Sequence, residues 1–337
     1  MIKLSYDGSQ PAWICNRRAV WIVMGVICGL FWVLVGLMVN AWLLTVQQGE
    51  VTLLAVMMLT AVVLLILRYP ALCAGIRRYR VRQLRRALAR GDIRVWYQPT
   101  VTGALGHVSG CELLARWHLR GGRIRGAERF IALAEENGLI VPMTRLLVRQ
   151  ACRDLARMQA RLPVGFTVSV NLSAAHVGSA QFLQDCRRLQ RTLAGRAGRV
   201  TAEVGERAAF SHTPGGRQLL MALRGAGVRV MLDDFATGYQ TLEELDMLPV
   251  DGFKIDQRHV RALCDGSAVS KAELMIRLGH LMSLELEAEG VETWAQHEWL
   301  LAHGVVRQQG YYFSPPLQAG GFTLYLANGG AMKGAFV

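Results

Sequence analysis

Two adjacent carboxylates, Asp233 and Asp234, close an apolar run from Val228 to Leu232. Leu248-Pro249-Val250-Asp251 and Lys254-Ile255-Asp256 follow shortly after. The run has the length and composition of a strand buried on both faces. Two acids at the end of such a strand repel each other unless a cation neutralises them. Oxygen ligands select hard ions, so Mg²⁺ or Mn²⁺ is the expected neutraliser. A plainer reading is a pair of N-cap residues opening the next helix, and the Asp-Asp pair alone favours it.

The rest of the chain shifts that balance. Glu112, Asn171, Glu203, Asp233 with Asp234, Glu292 and Gln309 all fall at the ends of expected strands, joined by one base, Lys254. Each alone has a bland role, as an edge carboxylate, a helix N-cap or a turn residue. In a parallel barrel the C-terminal ends of the strands converge on one face, so these side chains would meet. A cluster so rich in acid is not tolerated without cations. With two metal ions it becomes a site that activates water and clamps a phosphodiester.

The elements that must position them alternate between strand and helix. Strands are expected at Arg94–Tyr97 (stopping at Pro99), Val108–Leu114, Gly165–Val170, Arg199–Val204, Val228–Leu232, Gly252–Ile255 and Leu284–Ala288, with Val305 leading to Gln309. Helices are expected at Ala127–Asn137, Thr144–Ala160, Ala180–Leu193, Gly215–Gly225, Thr241–Met247, Lys271–Met282 and Trp294–His303. The pattern predicts an α/β chain with a (β/α)₈ TIM-like barrel. A doubly wound open sheet is the alternative, but the Gly-rich phosphate loop that usually follows its first strand is missing.

Hydrophobic residues make up 52% of the 337 residues, and the mean hydropathy is +0.24. Residues Ala19–Val46 and Val51–Leu67 carry no charge, and only Gln47-Gln48-Gly49-Glu50 separates them. The first run exceeds the ~20 residues that span a bilayer, and the second is at the short end of the range. Trp21 and Trp42 lie where interfacial aromatics are favoured. A two-helix transmembrane hairpin over 19–68 is therefore expected. Arg17 and Arg18 precede it, and Arg77, Arg78, Arg80, Arg82, Arg85, Arg86 and Arg90 follow it. This predicts both termini on the cytoplasmic side of the membrane, with Arg68 snorkelling at the interface.

The net charge of +13 is concentrated in these arginines. Attraction to anionic lipid explains it better than nucleic acid, for which no fingerprint is present. The expected organisation is a cytoplasmic segment 1–18, the hairpin 19–68, a basic juxtamembrane helix 69–92, a catalytic domain 93–325 and a tail 326–337. The seven cysteines form no CxxC pair and are expected to be reduced.

Residues from about Leu84 to Leu317 resemble the EAL domain, the cyclic di-GMP phosphodiesterase family. The motifs that carry the resemblance are Tyr97-Gln98-Pro99, Glu112-Leu113-Leu114-Ala115-Arg116-Trp117, Val170-Asn171-Leu172-Ser173, Asp233-Asp234-Phe235-Ala236-Thr237-Gly238-Tyr239, Lys254-Ile255-Asp256, Ala288-Glu289-Gly290-Val291-Glu292-Thr293 and Gln309-Gly310-Tyr311-Tyr312-Phe313-Ser314.

The resemblance implies two-metal hydrolysis of cyclic di-GMP to linear pGpG. It implies Glu112, Asn171, Glu203 and Asp233 as ligands of one Mg²⁺ or Mn²⁺, and Asp234 as a ligand of the second. Lys254 and Glu292 would handle the attacking water, with Glu112 also counted among the catalytic residues. Gln309 would support the water shell, and Glu206 would anchor the loop after the Asp-Asp pair. Arg116, Gln98 and Leu114 would touch the substrate, and two chains would pair as a homodimer.

Departures from the family pattern are Leu113, Ala236, Gln240, Gly205 and Val305-Val306. None removes a metal or water position. Leu113 is expected to point away from the site. Ala236 strains the loop if that position needs φ > 0. A non-catalytic EAL receptor or interaction module is the competing reading, and retention of the acids favours the enzyme.

Overall fold

The computed structural model describes residues 29, 31–40, 49–205, 210, 215–233, 248–264 and 271–330. Most of the expected span 19–46, the expected helix 241–247, and Glu206, Asp234, Ala236 and Gln240 lie outside them. The chain divides into two compact units, with the boundary between Leu84 and Arg85.

In the first unit residues 31–40 are helical. The boundary falls inside helix α1, Gly49–Arg90. Among the described residues no helix is long and apolar enough to cross a membrane, so they give the expected hairpin no support. Val56, Met57, Met58, Leu64 and Leu72 of α1 are exposed.

The second unit is built on strands β1 (Ile93–Thr102), β2 (His107–His118), β3 (Ile124–Arg125), β4 (Thr167–Leu172), β5 (Arg199–Gly205), β6 (Arg229–Asp233), β7 (Gly252–Ile255), β8 (Glu285–Ala288) and β9 (Arg307–Gln308). Their order is β1-β9-β8-β7-β6-β5-β4-β2-β3, and β1 also pairs with β2. That pairing closes an eight-stranded barrel and leaves β3 as an outer appendage of β2. Helices such as α3 (Ile140–Met158) and α4 (Gln181–Leu193) connect successive parallel strands; the short α2 (Ile131–Glu136) precedes them.

The expected TIM-like barrel is present, with two local differences. A (β/α)₈ barrel has only parallel strands, but β1 runs antiparallel to both neighbours. The reason is local. Only a tight turn joins β1 to β2, with Gly103 at φ +72 and Gly106 at φ +63, and a hairpin turn cannot make the crossover that parallel pairing needs. Pro99 also does not end β1, which continues to Thr102. Tyr97 donates to the Leu317 carbonyl on the side away from β2. Two residues on, the missing Pro99 N–H faces that same side, so no β2 ladder bond is lost.

Alternation divides the barrel strands between two environments. Val168, Val170, Leu172, Val200, Ala202, Val204, Val230, Leu232, Phe253 and Ile255 are buried on the face toward the helices. α3 and α4 supply the apolar stripes that cover part of it, including Leu147, Leu155, Phe182 and Leu189. The inward residues, in register around the barrel, are mostly polar. Leu113 faces outward and is buried, as alternation requires once Glu112 faces inward.

Candidate active site

The strand register steps around the barrel and gathers inward residues at the C-terminal ends of the strands. Asn171 of β4 aligns with Glu203 of β5, and the next residue pair places Gly205 beside Asp233. Lys254 of β7 aligns with Glu287 of β8, so Glu289 lies one inward step further. Glu112 of β2 is opposite Gln98 of β1. Gln309 follows β9 directly and donates its backbone N–H to the Ala288 carbonyl at 2.8 Å. Glu112, Asn171, Glu203, Asp233, Lys254, Glu289 and Gln309 are all buried, none more than 8% exposed.

These side chains form one network. Asn171 Nδ2 donates to Glu112 Oε1 at 3.0 Å and Gln309 Nε2 donates to Glu112 Oε2 at 2.8 Å. Lys254 Nζ donates to Glu203 Oε1 at 2.7 Å and lies 3.6 Å from Glu112 Oε2. It also ion-pairs with Glu289. Burial alone would lower the ammonium's pKa, but Glu112, Glu203, Asp233 and Glu287 outweigh it and hold Lys254 well above its usual range. For Glu203 burial dominates and pushes the carboxyl up to about 8, with Lys254 opposing and Glu112, Asp233 and Glu287 assisting. Lys254 therefore stays charged, and Glu203 holds its proton to a higher pH than an ordinary carboxyl, through burial first and the neighbouring acids second.

That excess of acid fits a cation. Asn171 Oδ1 and Glu203 Oε2 are buried oxygens without a hydrogen-bond donor among the described residues. A carboxylate and an amide carbonyl are both ligands for a hard divalent ion. Among the described residues, however, no three His, Cys, Asp or Glu side chains are already gathered closely enough to hold one. Lys254 occupies the centre of the acids, one ligand is an amide, and Asp234 lies outside the described residues.

The sequence expectation for Glu292 is corrected. Its side chain is exposed, accepts from Arg261 Nη2 at 2.7 Å and from Gln257 Nε2 at 3.2 Å, and does not join the cluster. The residue that does is Glu289, which the sequence reading passed over. Glu285, Glu287 and Glu289 share one parity, and Lys254 faces Glu287. Gly290, at φ +65, then turns the chain away, so Glu292 cannot return to that face. The period of two was the signal available.

On the rim, Gln98 is half-buried and Leu114 is buried. Arg116 is half-buried, and its Nη1 donates to the Ala115 carbonyl at 2.9 Å. Burial lowers its pKa, against Glu128, Tyr311 and Glu112. Strand register puts Gln98, Leu114 and Arg116 on the same face as Glu112.

A polar network at the C-terminal mouth of an eight-stranded barrel, with one antiparallel strand, defines an EAL-type barrel. Residues 81–316 match the EAL domain, and the chain belongs to that family. It is 37% identical over 235 residues to the Escherichia coli (strain K12) protein named probable cyclic di-GMP phosphodiesterase PdeG, covering 69% of this chain and 46% of that protein. It is 35% identical over 237 residues to cyclic di-GMP phosphodiesterase PdeL of the same organism, covering 70% and 66%. The chain thus spans less than two thirds of either relative.

Among solved structures, the PaMucR phosphodiesterase in complex with c-di-GMP has a TM-score of 0.64 at 30% identity, covering 72% of this chain and 98% of that one. The EAL enzyme Bd1971, bound to cAMP and cyclic di-GMP, has a TM-score of 0.67 at 25% identity, covering 84% and 77%.

Proposed function

We propose that this chain hydrolyses cyclic di-GMP to linear pGpG, with water cleaving one of the two phosphodiester bonds. The observation that carries this reading is the buried cluster of Glu112, Asn171, Glu203, Asp233, Glu289 and Gln309 around Lys254. The names of the relatives and the cyclic di-GMP complexes of similar structures support it.

Glu112, Asn171, Glu203 and Asp233 would hold a divalent ion, with Asp234 completing a second position. Mg²⁺ or Mn²⁺ bound there supplies a water of lowered pKa and positive charge for the phosphoryl oxygens. Lys254 Nζ orients the attacking water, and the Glu289 carboxylate accepts its proton. Gln309 Nε2 fixes Glu112 Oε2 by donating to it. The Arg116 guanidinium matches a phosphate in charge and shape, while Gln98 and Leu114 line the rim beside it.

We further propose that the N-terminal region holds the enzyme at a bacterial inner membrane, with the barrel cytoplasmic. The uncharged runs 19–46 and 51–67, the arginines beyond them and the outward apolar side chains of α1 support this. Pairing into a homodimer is part of the same proposal.

The test uses the full-length chain purified in mild detergent. It is incubated with cyclic di-GMP and Mn²⁺ or Mg²⁺, and products are resolved chromatographically, with Glu112→Ala and EDTA as controls. pGpG from the wild type alone, and only with metal, is the expected result. Tight binding without product moves the reading to a receptor, and neither binding nor product overturns it.

A further inference from the structure

The β1–β2 hairpin carries an aromatic pair above the acid cluster that the reaction chemistry does not use. Trp96 lies opposite Leu114, one inward step beyond the Gln98–Glu112 pair and toward the barrel mouth. At ~3.4 Å per residue, that places it about 7 Å above the level of Glu112. The indole is half-buried rather than sunk in the core. Its Nε1 donates to His118 Nε2 at 3.2 Å, and the two rings are 6.1 Å apart at 58°. The acceptor nitrogen must be unprotonated, so His118 carries its proton on Nδ1. Burial also lowers the His118 pKa, which keeps the ring neutral. The indole is thus held by its edge, opposite Leu114 and one inward step short of the Arg94–Arg116 pair.

A phosphodiester at the acid cluster projects its sugar and base toward this wall. Every base offers a π-face, and rigid aromatic rings bind bases by stacking. We propose that Trp96 is a specificity-determining residue whose indole stacks on a guanine base of the cyclic dinucleotide, with His118 as the residue that positions the ring. This rests on the cyclic di-GMP reading above and names where the base goes.

The test is a fluorescence titration of the full-length chain with cyclic di-GMP in EDTA, where hydrolysis is off, paired with steady-state kinetics in Mn²⁺. Loss of one base–aromatic stack weakens binding roughly five- to a hundredfold. Trp96→Ala is expected to raise Kd and KM by such a factor with kcat within about twofold, because stacking is equal in ground and transition states. Trp96→Phe keeps a ring and is expected to stay within about threefold of wild type. His118→Ala is expected to raise Kd by less than Trp96→Ala and to shrink the part of the ligand-induced quench that Trp96→Phe removes.

If Trp96→Ala does not fold, Trp96→Leu, which keeps apolar bulk without a ring, takes its place. An unchanged Kd and quench in either ringless variant overturns the proposal, as does a fall in kcat at constant KM. Wild-type binding in EDTA without turnover in Mn²⁺ would overturn the phosphodiesterase reading alone. Absence of wild-type binding would overturn both.

Discussion

Replacing Lys254 by Met removes the ammonium from the acid cluster while keeping an apolar side chain of similar length. The site is fully buried, so the carboxylates of Glu112, Glu203 and Glu289 cannot turn to water instead. Removing one partner of a buried ion pair costs ~3–5 kcal/mol, because the other charge is left uncompensated. In a folded unit of this size 1 kcal/mol moves Tm by ~2–4 °C, so metal-free K254M should melt about 6–20 °C below wild type. Glu203, already pushed up to about 8 by burial, relieves the loss by taking a proton. Lys254 holds that carboxyl down in wild type, so its loss raises Glu203 further, and the gap should widen as pH rises above about 8 and stay level below it. A divalent ion held by Glu112, Glu203, Asp233 and Asn171 would supply the missing charge. Thermal melts of both proteins in EDTA and in Mn²⁺ check this, and Mn²⁺ should close at least half the gap. Equal Tm values in EDTA would refute the neutralising role of Lys254. A gap untouched by Mn²⁺, at a concentration that stabilises wild type, would show that the metal does not use these acids.

Other perturbations test the site and the fold separately. Glu289→Gln should lower turnover by ~10²–10⁴-fold, the usual contribution of a positioned base. Glu292→Gln loses only an exposed ion pair worth ~0–1 kcal/mol and should leave turnover within about twofold; initial rates on the two variants decide between these acids. Gly310→Ala would drive a Cβ into the backbone of Val291, between the exits of β8 and β9. An overpacking cost of ~1–3 kcal/mol and weaker Mn²⁺ binding are expected, read by denaturant melts and metal titration. His176 is buried against Phe182 and its pKa is lowered to about 4, chiefly by burial. The unfolded chain takes up a proton near pH 6.5 that the folded chain refuses until about pH 4. Stability present above pH 6.5 should thus be lost on acidification, by about 3 kcal/mol over that window. Chemical melts at pH 7 and pH 4.5 should show this in wild type and much less in His176→Gln.

Much of the barrel was legible in the sequence because its strands are short apolar runs with turns between them. The expected strand Gly252–Ile255 is reproduced residue for residue, and Arg199–Val204 extends by one residue. The antiparallel β1 was not legible, because direction depends on how the turn 103–106 closes and not on the strand's own residues. Pro99 misled because a proline breaks only the side of a strand its nitrogen faces. The same limit of scale explains Glu289 and Glu292. Both acids lie in one short motif, and motif spacing ranks them equally. Only parity along β8 and the turn at Gly290 separate them, and both belong to the three-dimensional path of the chain.

Charge inside the barrel is distributed unevenly, and that unevenness is the strongest physical argument for chemistry at the mouth. Near the floor, acids and bases are matched. Arg307 Nε lies 3.3 Å from Glu287, and Arg229 pairs with Glu285. All of these groups but Glu287 are partly wet, and pairing of that kind costs a fold little. At the mouth, among the described residues, Glu112, Glu203 and Glu289 share Lys254 with Asp233 beside them, and every member is buried. Gathering several acids in one buried site is costly for a fold. Their gathering from four strand ends, with Asn171 Oδ1 and Glu203 Oε2 lacking a hydrogen-bond donor among the described residues, favours a site that takes counter-charge from a bound cation. The metal dependence of the K254M melting gap measures that missing charge directly.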